Sequence, residues 1–442
     1  MIGQDTIAAL ATPRGRGGVA VVRVSGADAF LIAEKITGRA VSKGDAGRFF
    51  HVNFSYDGKI LDDGLLLVFS SPRSYTGENV VEFQTHGGEI APRRVLEATL
   101  ASGARLARRG EFTQRAFLNG RLDLSQAEAV IDLIDARTQR SADEAVGRLK
   151  GALVRPFENL YDEALDVSSR IEHALDFDES ELPDEFHKKL NFDLNSILSK
   201  ISSLLSTARE GKLLREGALV VLAGKPNAGK SSLMNALLGE NRVIVSDIPG
   251  TTRDSIEEML EIKGWPVRLL DTAGLRDTSD TIEAEGVERS EKLISQADIV
   301  LVLSEDENGF ELASNFDGTK VICVQTKIDL HSGDVNTYEG IKISSVSGEG
   351  LESLKNHIAE KLEALSSKEE ESSGADVTTR QVECLGEAFN AFADALNALE
   401  IPEYVIAANE TANGVRAIGR LLGKVYSEDL LDALFSRFCI GK

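Results

Sequence analysis

The sequence is poor in several features that would assign it to other classes of protein. Its three cysteines, Cys323, Cys384 and Cys439, are too few and too scattered for a disulfide framework or a zinc site, and they suit a reducing compartment. No apolar run is long enough to span a membrane, and the polar start Met-Ile-Gly-Gln-Asp does not resemble a signal peptide. We therefore expect a cytoplasmic protein with no membrane partner.

Positive charge is also scarce. The chain has 49 Lys and Arg residues against 71 Asp and Glu residues, a formal net charge of −22. This balance argues against a broad, nonspecific nucleic-acid surface. It does not exclude an RNA partner, because a local basic face can exist within an acidic chain.

The sequence does contain a phosphate-binding loop in the context that such a loop requires. An apolar run from Ala218 leads into Gly224-Lys-Pro-Asn-Ala-Gly-Lys-Ser231, and a helix-patterned segment follows. Glycines let backbone N–H groups face phosphates, Lys230 reaches the β and γ oxygens, and Ser231 can ligate Mg2+. The helix that opens at Lys230 directs the positive end of its dipole at the anion. The alternative is an ordinary glycine-rich turn.

Four segments downstream indicate GTP and not ATP as the nucleotide. Gly250-Thr-Thr-Arg-Asp254 supplies threonines that can close over the metal. Asp271-Thr-Ala-Gly274 follows a strand-like run, where the aspartate can hold the magnesium shell and a glycine N–H can meet the γ-phosphate. Thr326-Lys-Ile-Asp329 places a carboxylate where it can accept two hydrogen bonds from guanine. Ser344-Ser345 ends the next strand, where a backbone N–H can meet the guanine oxygen.

The N-terminal part, residues 1–120, is predicted to be a mixed α/β domain with strands in the runs 18–24, 64–70 and 79–84. Arg23 and Glu82 lie inside two of these runs, where an unpaired charge would be unfavourable. Each is therefore expected to have a partner or a ligand, unless it lies on a solvated strand face.

Helical patterning begins at Leu122, where Ser125-Gln-Ala-Glu128 is predicted to be a capping box. We expect helical segments at 121–215 and 379–442 on either side of a nucleotide-binding domain at 216–365, with a polar linker at 366–378. Because domain termini commonly lie close together, the two helical segments are expected to pack as one unit. The last helix is predicted to begin at the N-cap Ser427. Cys439 follows it as a buried small residue, an inert thiol or a nucleophile.

These motifs together resemble the MnmE (TrmE) family of tRNA-modification GTPases over essentially the whole chain. The resemblance rests on the phosphate loop and on Ala11-Thr-Pro-Arg-Gly-Arg-Gly-Gly-Val19, Gly110-Glu-Phe-Thr-Gln-Arg-Ala-Phe-Leu-Asn119, Asp271-Thr-Ala-Gly-Leu-Arg276 and Phe438-Cys-Ile-Gly-Lys442. It implies an N-terminal α/β domain that binds folate and dimerises, an all-α domain built from both helical segments, and a Ras-like GTPase domain inserted in it. It also implies a heterotetramer with an MnmG-like FAD protein. That assembly adds an aminomethyl or carboxymethylaminomethyl group to C5 of the wobble uridine of certain tRNAs.

Site residues also follow from the resemblance. It implies that 5-formyl-tetrahydrofolate or a related folate contacts Arg23, Glu82, Arg121 and Lys442, and that Cys439 is catalytic. Arg121 stands where some members have lysine, which keeps the charge but changes the hydrogen-bond geometry. Thr326 replaces the commoner asparagine, so a modest loss of loop anchoring is expected.

For hydrolysis, Leu275 occupies the position at which Ras-type enzymes place the glutamine that orients the attacking water. The resemblance assigns that task to the catalytic Glu283. It also implies G-domain dimerisation and a K+ ion that does the electrostatic work of an arginine finger. The implied K+ ligands are Asn227, Ser246, Ile248 and Thr251, and the implied Mg2+ ligands are Ser231 and Thr252. The motifs and the resemblance together predict GTP contacts from Asn227, Ala228, Gly229, Lys230, Ser231, Ser232, Ser246, Asp247, Ile248, Pro249, Gly250, Thr251, Thr252, Asp271, Thr272, Ala273, Gly274, Thr326, Lys327, Asp329, Ser344 and Ser345.

Two alternatives from other classes remain open. A ribosome-assembly GTPase would use the same nucleotide motifs without one-carbon chemistry, but it leaves the N-terminal domain and the Cys-Ile-Gly-Lys tail unexplained. A folate-dependent transferase with a vestigial nucleotide domain is opposed by the intact phosphate loop.

Overall fold

A computed structural model of the protein describes residues 5–176, 182–241, 257–271, 293–330, 340–366, 377–401 and 403–442. Its contacts divide the chain into two units. Unit 1 comprises Met1–Ile131, Leu153–Asn159 and Ile418–Lys442, and unit 2 comprises Asp132–Ala152 and Leu160–Ala417. Within these described ranges, no helix has both the length and the apolar character needed to cross a bilayer.

Helices are distributed along the whole chain. Those that the structure describes are α1 (Ala29–Thr37), α2 (Ile90–Ala101), α3 (Glu111–Leu118), α4 (Leu124–Asp135), α5 (Gln139–Leu149), α6 (Val154–Ala174), α7 (Asp184–Ser206), α8 (Ala208–Glu216), α9 (Lys230–Asn241), α10 (Leu351–Ser366), α11 (Thr379–Glu400), α12 (Tyr404–Leu421) and α13 (Glu428–Phe435). The strong helical periodicity on both sides of the nucleotide motifs is therefore confirmed.

Unit 1 is built on a six-stranded sheet in the order β3-β4-β5-β2-β1-β6. Its strands are β1 (Ile7–Leu10), β2 (Val19–Ser25), β3 (Phe49–Tyr56), β4 (Lys59–Phe69), β5 (Val80–His86) and β6 (Arg105–Leu106). The three predicted strand runs correspond to β2, β4 and β5. Residues alternate between the two faces, so that Val81 and Phe83 enter the core beneath α1 and α2 while Glu82 lies on the opposite face.

Two predictions about helix starts have different outcomes. The last helix, α13, begins as predicted, because the Ser427 hydroxyl accepts a hydrogen bond from the Leu430 N–H. The predicted Ser125–Glu128 capping box at α4 is wrong. The reciprocal pair is instead Asp123 and Gln126. The Asp123 carboxylate accepts from the Gln126 backbone N–H at 2.9 Å, and the Gln126 side-chain oxygen accepts from the Asp123 backbone N–H at 3.1 Å.

Unit 2 contains a second six-stranded sheet, in the order β12-β11-β10-β7-β9-β8. Its strands are β7 (Ala218–Gly224), β8 (Glu257–Ile262), β9 (Trp265–Asp271), β10 (Ile299–Ser304), β11 (Val321–Gln325) and β12 (Ile341–Lys342). All neighbours are parallel except β8 and β9. The central strands β7 and β10 are almost wholly apolar because buried clusters cover both of their faces.

This topology positions the nucleotide motifs. The carboxyl ends of parallel strands meet at one edge of a sheet, and ligands of such folds bind in the crevice outside that edge. The phosphate loop follows β7, Asp271 ends β9, and Thr326 follows β11. The three motifs, distant in sequence, therefore lie along the same edge.

The helical segments before and after this sheet in the sequence are in contact within unit 2. Helix α7 packs along α11, and the Arg215 guanidinium donates to the Val377 carbonyl at 3.0 Å. Arg140 of α5 links this helical part to the sheet, because its guanidinium lies 4.0 Å from the centroid of the Trp265 ring at the start of β9.

Candidate functional site

The loop after β7 has the backbone of a phosphate-binding loop. Gly224, Asn227 and Gly229 have φ values of 152°, 64° and 90°, which lie in the left-handed region. A side chain at Gly224 is excluded, because a Cβ there would lie 2.5 Å from the Leu303 carbonyl oxygen. Left-handed residues at short spacing build a concave backbone that binds anions. Helix α9 begins at Lys230 directly after this loop and adds the positive end of its dipole.

Lys230 supplies the cation of this loop. Its side chain is only 6% exposed, and its Nζ donates to the carbonyl oxygens of Gly224 and Lys225 at 2.9 Å each. The ammonium group is thus held over the loop. Phosphate oxygens are stronger acceptors than amide carbonyls, so a bound triphosphate can take over these hydrogen bonds.

Ser231 and Asp271 form a candidate magnesium-binding site. The Ser231 hydroxyl, in the first turn of α9, donates to Oδ2 of Asp271 at the end of β9 at 2.9 Å. Both groups are oxygen donors, which Mg2+ prefers, and Mg2+ is typically bound by one or two such side chains together with waters and substrate phosphates. The residues present therefore fit the metal that the phosphate loop implies.

The guanine end of the site is connected to the phosphate loop by Thr326. Its Oγ1 donates to the Ala228 carbonyl at 2.9 Å, and its N–H donates to the Ser304 carbonyl at 2.8 Å. A neutral hydrogen bond of this kind contributes about 1 kcal/mol. The threonine thus retains one anchor to the loop even though it lacks the amide of asparagine.

Lys327 and Asp329 follow in a tight turn. Lys327 has a left-handed φ of 57°, and its ammonium group pairs with Oε1 of Glu305 at 2.5 Å. The turn continues into the short 3-10 helix Ile328–Leu330, on which Asp329 is exposed. Its carboxylate is therefore accessible to a nucleotide base. Sequence reasoning missed Glu305, whose position after β10 gives no local signal.

Ser344 and Ser345 differ in their availability to guanine. The Ser344 N–H donates to the Glu349 carbonyl at 2.9 Å, and its Oγ accepts from the Ser347 N–H at 3.1 Å. Ser344 therefore shapes the turn. Ser345 is left as the better candidate for a backbone donor to the guanine oxygen.

The described part of the expected nucleotide site comprises the phosphate loop, the Ser231–Asp271 pair and the turn that carries Asp329. The expected contacts that lie outside the described residues are Ser246, Asp247, Ile248, Pro249, Gly250, Thr251, Thr252, Thr272, Ala273, Gly274 and Glu283.

A second group of predicted residues comes together in unit 1. Arg23 on β2 and Glu82 on β5 are cross-strand neighbours, and Nε of the arginine lies 2.8 Å from Oε1 of the glutamate. Each side chain is 16% exposed, which confirms the prediction that these charges have partners. The guanidinium carbon of Arg23 also lies 5.1 Å from the Tyr75 ring centroid and 5.7 Å from that of Phe112. Sequence reasoning missed both aromatic residues.

Segment 438–442 lies beside this ion pair. Ile440 forms an antiparallel bridge with Arg109, whose Nε donates to the Phe438 carbonyl at 2.9 Å. The pKa of Lys442 is lowered, first by burial and then by the positive charge of Arg23, while Glu82 and Cys439 act in the opposite direction. Lys442 is thus close enough to the Arg23–Glu82 pair to respond to both charges.

The other two predicted residues of this region are also placed. Cys439 is exposed, which removes the interpretation of this residue as buried apolar filler. The Arg121 Nε donates to the Ser74 carbonyl at 3.1 Å, directly before Tyr75 in the chain. Arg121 therefore lies against the segment whose aromatic ring contacts Arg23.

In unit 2, a phosphate loop, the Ser231–Asp271 pair and the turn that carries Asp329 occupy one edge of a mostly parallel sheet, an arrangement typical of P-loop nucleotide-binding proteins. Comparison with known proteins extends this result to the whole chain. Residues 6–121 match the family described as GTP-binding protein TrmE N-terminus, and residues 124–439 match the MnmE helical domain. The chain belongs to the MnmE family of tRNA modification GTPases, as its sequence motifs suggested, and it is a GTP hydrolase.

Similar proteins span the full length of the chain. The tRNA modification GTPase MnmE of Symbiobacterium thermophilum is 42% identical, with 100% of both chains covered. The protein of the same name from Clostridioides difficile is 39% identical over 99% of both chains. Among solved structures, the G domain of the T. maritima FeoB iron transporter is 32% identical over 33% of this chain, with a TM-score of 0.24. That score is too low to support a comparison of folds.

Proposed function

We propose that this GTP hydrolase acts in the cytoplasm with an MnmG-like partner that carries FAD. Together they add an aminomethyl or carboxymethylaminomethyl group to C5 of the wobble uridine of certain tRNAs, and a folate supplies the one-carbon unit. The observation that carries the proposal is the partly exposed Arg23–Glu82 ion pair, with Lys442 close enough to interact with it and with Cys439, in a chain that also has a GTP-binding loop. A ribosome-assembly switch needs no such group of residues.

The chemistry of these residues fits a folate. The carboxylate of Glu82 can accept hydrogen bonds from ring N–H groups, while the Arg23 guanidinium can donate to ring or formyl oxygens. Tyr75, which is partly exposed beside Arg23, offers flat apolar surface for a planar ring, and the buried Phe112 supports the Arg23 guanidinium from the core. Arg121 and Lys442 add positive charge that suits the carboxylates of the folate tail. When bound, 5-formyl-tetrahydrofolate or a related folate would supply a carbon at the formyl oxidation level.

Titration of the intact protein with 5-formyl-tetrahydrofolate, followed by calorimetry, tests this assignment. Arg23→Ala is expected to weaken binding by about 10- to 100-fold, because a hydrogen bond to a charged group contributes about 1.5–3 kcal/mol. GTP hydrolysis should be unchanged. Arg39→Ala is the matched control, because Arg39 stacks on Phe50 in the same unit, away from the Arg23–Glu82 pair. Absence of folate binding in the wild-type protein, with GTP hydrolysis intact, would favour the ribosome-assembly alternative.

For GTP hydrolysis, the residues of the chain have separable tasks. The loop N–H groups, Lys230 and the start of α9 stabilise negative charge on the phosphates. Ser231, Asp271 and Thr252 would hold Mg2+ or its shell, and Asp329 reads guanine. Leucine occupies the position after Asp-Thr-Ala-Gly, and the family resemblance assigns the orientation of the attacking water to Glu283. Asn227, Ser246, Ile248 and Thr251 would hold K+, which would supply a positive charge beside the phosphates.

This proposal predicts that hydrolysis depends on potassium. Because leucine replaces the glutamine after Asp-Thr-Ala-Gly, a monovalent cation of the right size would offset the charge that develops between the β- and γ-phosphates. GTP turnover measured at matched ionic strength should be fast in KCl and slow in NaCl. Equal turnover in the two salts would remove K+ from the proposed mechanism.

We also propose a domain arrangement and an assembly. The GTPase domain, residues 216–365, is inserted within a helical domain formed by residues 121–215 and 379–442, and residues 1–120 form the folate-binding domain through which the chain dimerises. The contact of α7 with α11 supports the insertion, because these helices flank the GTPase domain in sequence. The homodimer joins two copies of the FAD protein in a heterotetramer.

A further inference from the structure

Two histidines and two aspartates converge on unit 1 outside the sites described above. They lie on three adjacent strands: His51 on β3, Asp62 and Asp63 on β4, and His86 on β5. Nδ1 of His86 lies 2.8 Å from Oδ1 of Asp62, and Nε2 of His51 lies 3.2 Å from Oδ2 of Asp63. One ligand atom from each of Asp62, Asp63 and His86 lies within 4.8 Å of the others.

These separations suit a four-coordinate metal ion with three protein ligands and one water. With metal–ligand bonds of about 2.0–2.2 Å, neighbouring ligand atoms of a tetrahedral site lie about 3.3–3.6 Å apart. The ligand atoms of Asp62, Asp63 and His86 lie within 4.8 Å of one another, so a bound ion requires side-chain shifts on the order of 1 Å. Because the neighbouring strands β4 and β5 carry these three residues, their backbone positions are held in place before any ion binds. His51 on β3 contacts Asp63 and lies outside the group of three.

The contacts of Asp62 and Asp63 also leave the negative charge of these two carboxylates to be balanced. Among the residues that the structure describes, the ion pairs of Asp62 and Asp63 are with histidines and not with lysine or arginine. Neutral imidazoles would leave two adjacent carboxylates uncompensated. The second oxygen of Asp62 accepts from the His86 N–H at 2.8 Å, which fixes this carboxylate and directs Oδ1 at the imidazole.

We propose that Asp62, Asp63 and His86 bind a transition-metal dication of the zinc class, and that His51 orients Asp63 through its hydrogen bond. One imidazole nitrogen with two carboxylate oxygens and a water is a ligand set that Zn2+, Co2+ and Ni2+ accept. Mg2+ prefers oxygen ligands in octahedral geometry, so the magnesium that would serve GTP does not compete strongly here. The site is a structural clamp across β4 and β5.

Cobalt titration of the EDTA-treated, full-length protein tests this site. Co2+ bound tetrahedrally by mixed nitrogen and oxygen ligands absorbs strongly in the visible range, whereas octahedral Co2+ at an oxygen-rich magnesium site absorbs weakly. One equivalent should give the strong band, and Zn2+ should abolish it. Zn2+ should also raise the melting temperature of the protein, because a ligand that binds the folded state stabilises it.

Asp63→Asn and His51→Gln are the informative variants. Both side chains are largely exposed, at 52% and 72%, so their replacement should not impair folding. Each is expected to lower Zn2+ affinity by at least about tenfold, since even outer-shell substitutions at metal sites weaken binding by about 10–100-fold. GTP hydrolysis in Mg2+ should be retained, which shows that the variants are folded.

His173→Gln is the control, because His173 is an exposed histidine 4.0 Å from Asp176, outside this cluster. It should leave the cobalt band and Zn2+ affinity unchanged. A weak octahedral spectrum in the wild-type protein would overturn the proposal. A strong band that survives in both Asp63→Asn and His51→Gln would also overturn it, since the ion would then be bound elsewhere.

Discussion

Replacing Cys439 with serine is expected to abolish or sharply reduce tRNA modification while leaving GTP hydrolysis and folding unchanged. The substitution exchanges one atom, but a hydroxyl cannot supply thiolate chemistry. Cys439 is exposed, so its thiol is accessible to a substrate. Quantifying modified wobble uridine in tRNA from cells that express only the variant measures the effect.

The matched control is Cys384→Ala, which removes a buried thiol from α11. It should keep its tRNA product even if its melting temperature falls. A Cys439→Ser protein that is fully active would refute the catalytic assignment, whether or not the protein was destabilised. GTP turnover measured on the same preparations separates a loss of modification from a loss of fold.

A second large effect is expected at the guanine-reading turn, where Asp329→Asn should shift preference from GTP to XTP. In the role proposed for Asp329, its carboxylate accepts two hydrogen bonds from guanine N–H groups, and losing a charged acceptor costs about 3 kcal/mol, or roughly 100-fold in affinity. An amide can instead donate to the additional carbonyl of xanthine. The phosphate contacts of Lys230 are unchanged by the substitution. Competition of GTP and XTP against a fluorescent nucleotide gives both affinities.

Asp317→Asn is the control for this experiment, because Asp317 is an exposed aspartate of the same unit whose side chain accepts hydrogen bonds from the neighbouring Thr319. GTP affinity should be unchanged in that protein. If GTP binding survived intact in Asp329→Asn, then Asp329 would not be the base reader. Ser345 would then be the next residue to test.

Sequence patterns predicted the elements of this fold better than they predicted its contacts. The buried strand β7, the loop after it and the start of α9 at Lys230 follow from apolar runs and motif spacing, which are local signals. The start of α4 was misassigned because two overlapping capping patterns compete within six residues. Asp123 and Gln126 form the reciprocal pair that was expected of Ser125 and Glu128.

Contacts between residues that are distant in sequence explain why sequence patterns did not identify the partners of Arg23 and Glu82 or the exposure of Cys439. Two charged residues inside strands indicated that partners exist, but only the β2–β5 register pairs Arg23 with Glu82. The exposure of Cys439 depends in the same way on the contacts of its flanking residues. Phe438 and Ile440 both bond to Arg109, more than three hundred residues earlier in the chain. No local pattern reports such contacts.

The most direct test of the proposed function is mass spectrometry of wobble uridines in tRNA from cells that lack this protein. C5-modified wobble uridine is predicted to disappear from a subset of tRNAs and to return when the wild-type chain is expressed. A Lys230→Ala chain, which lacks the cation of the phosphate loop, should restore little or none of it. Unchanged modification in cells without the protein would contradict the proposed role in tRNA modification.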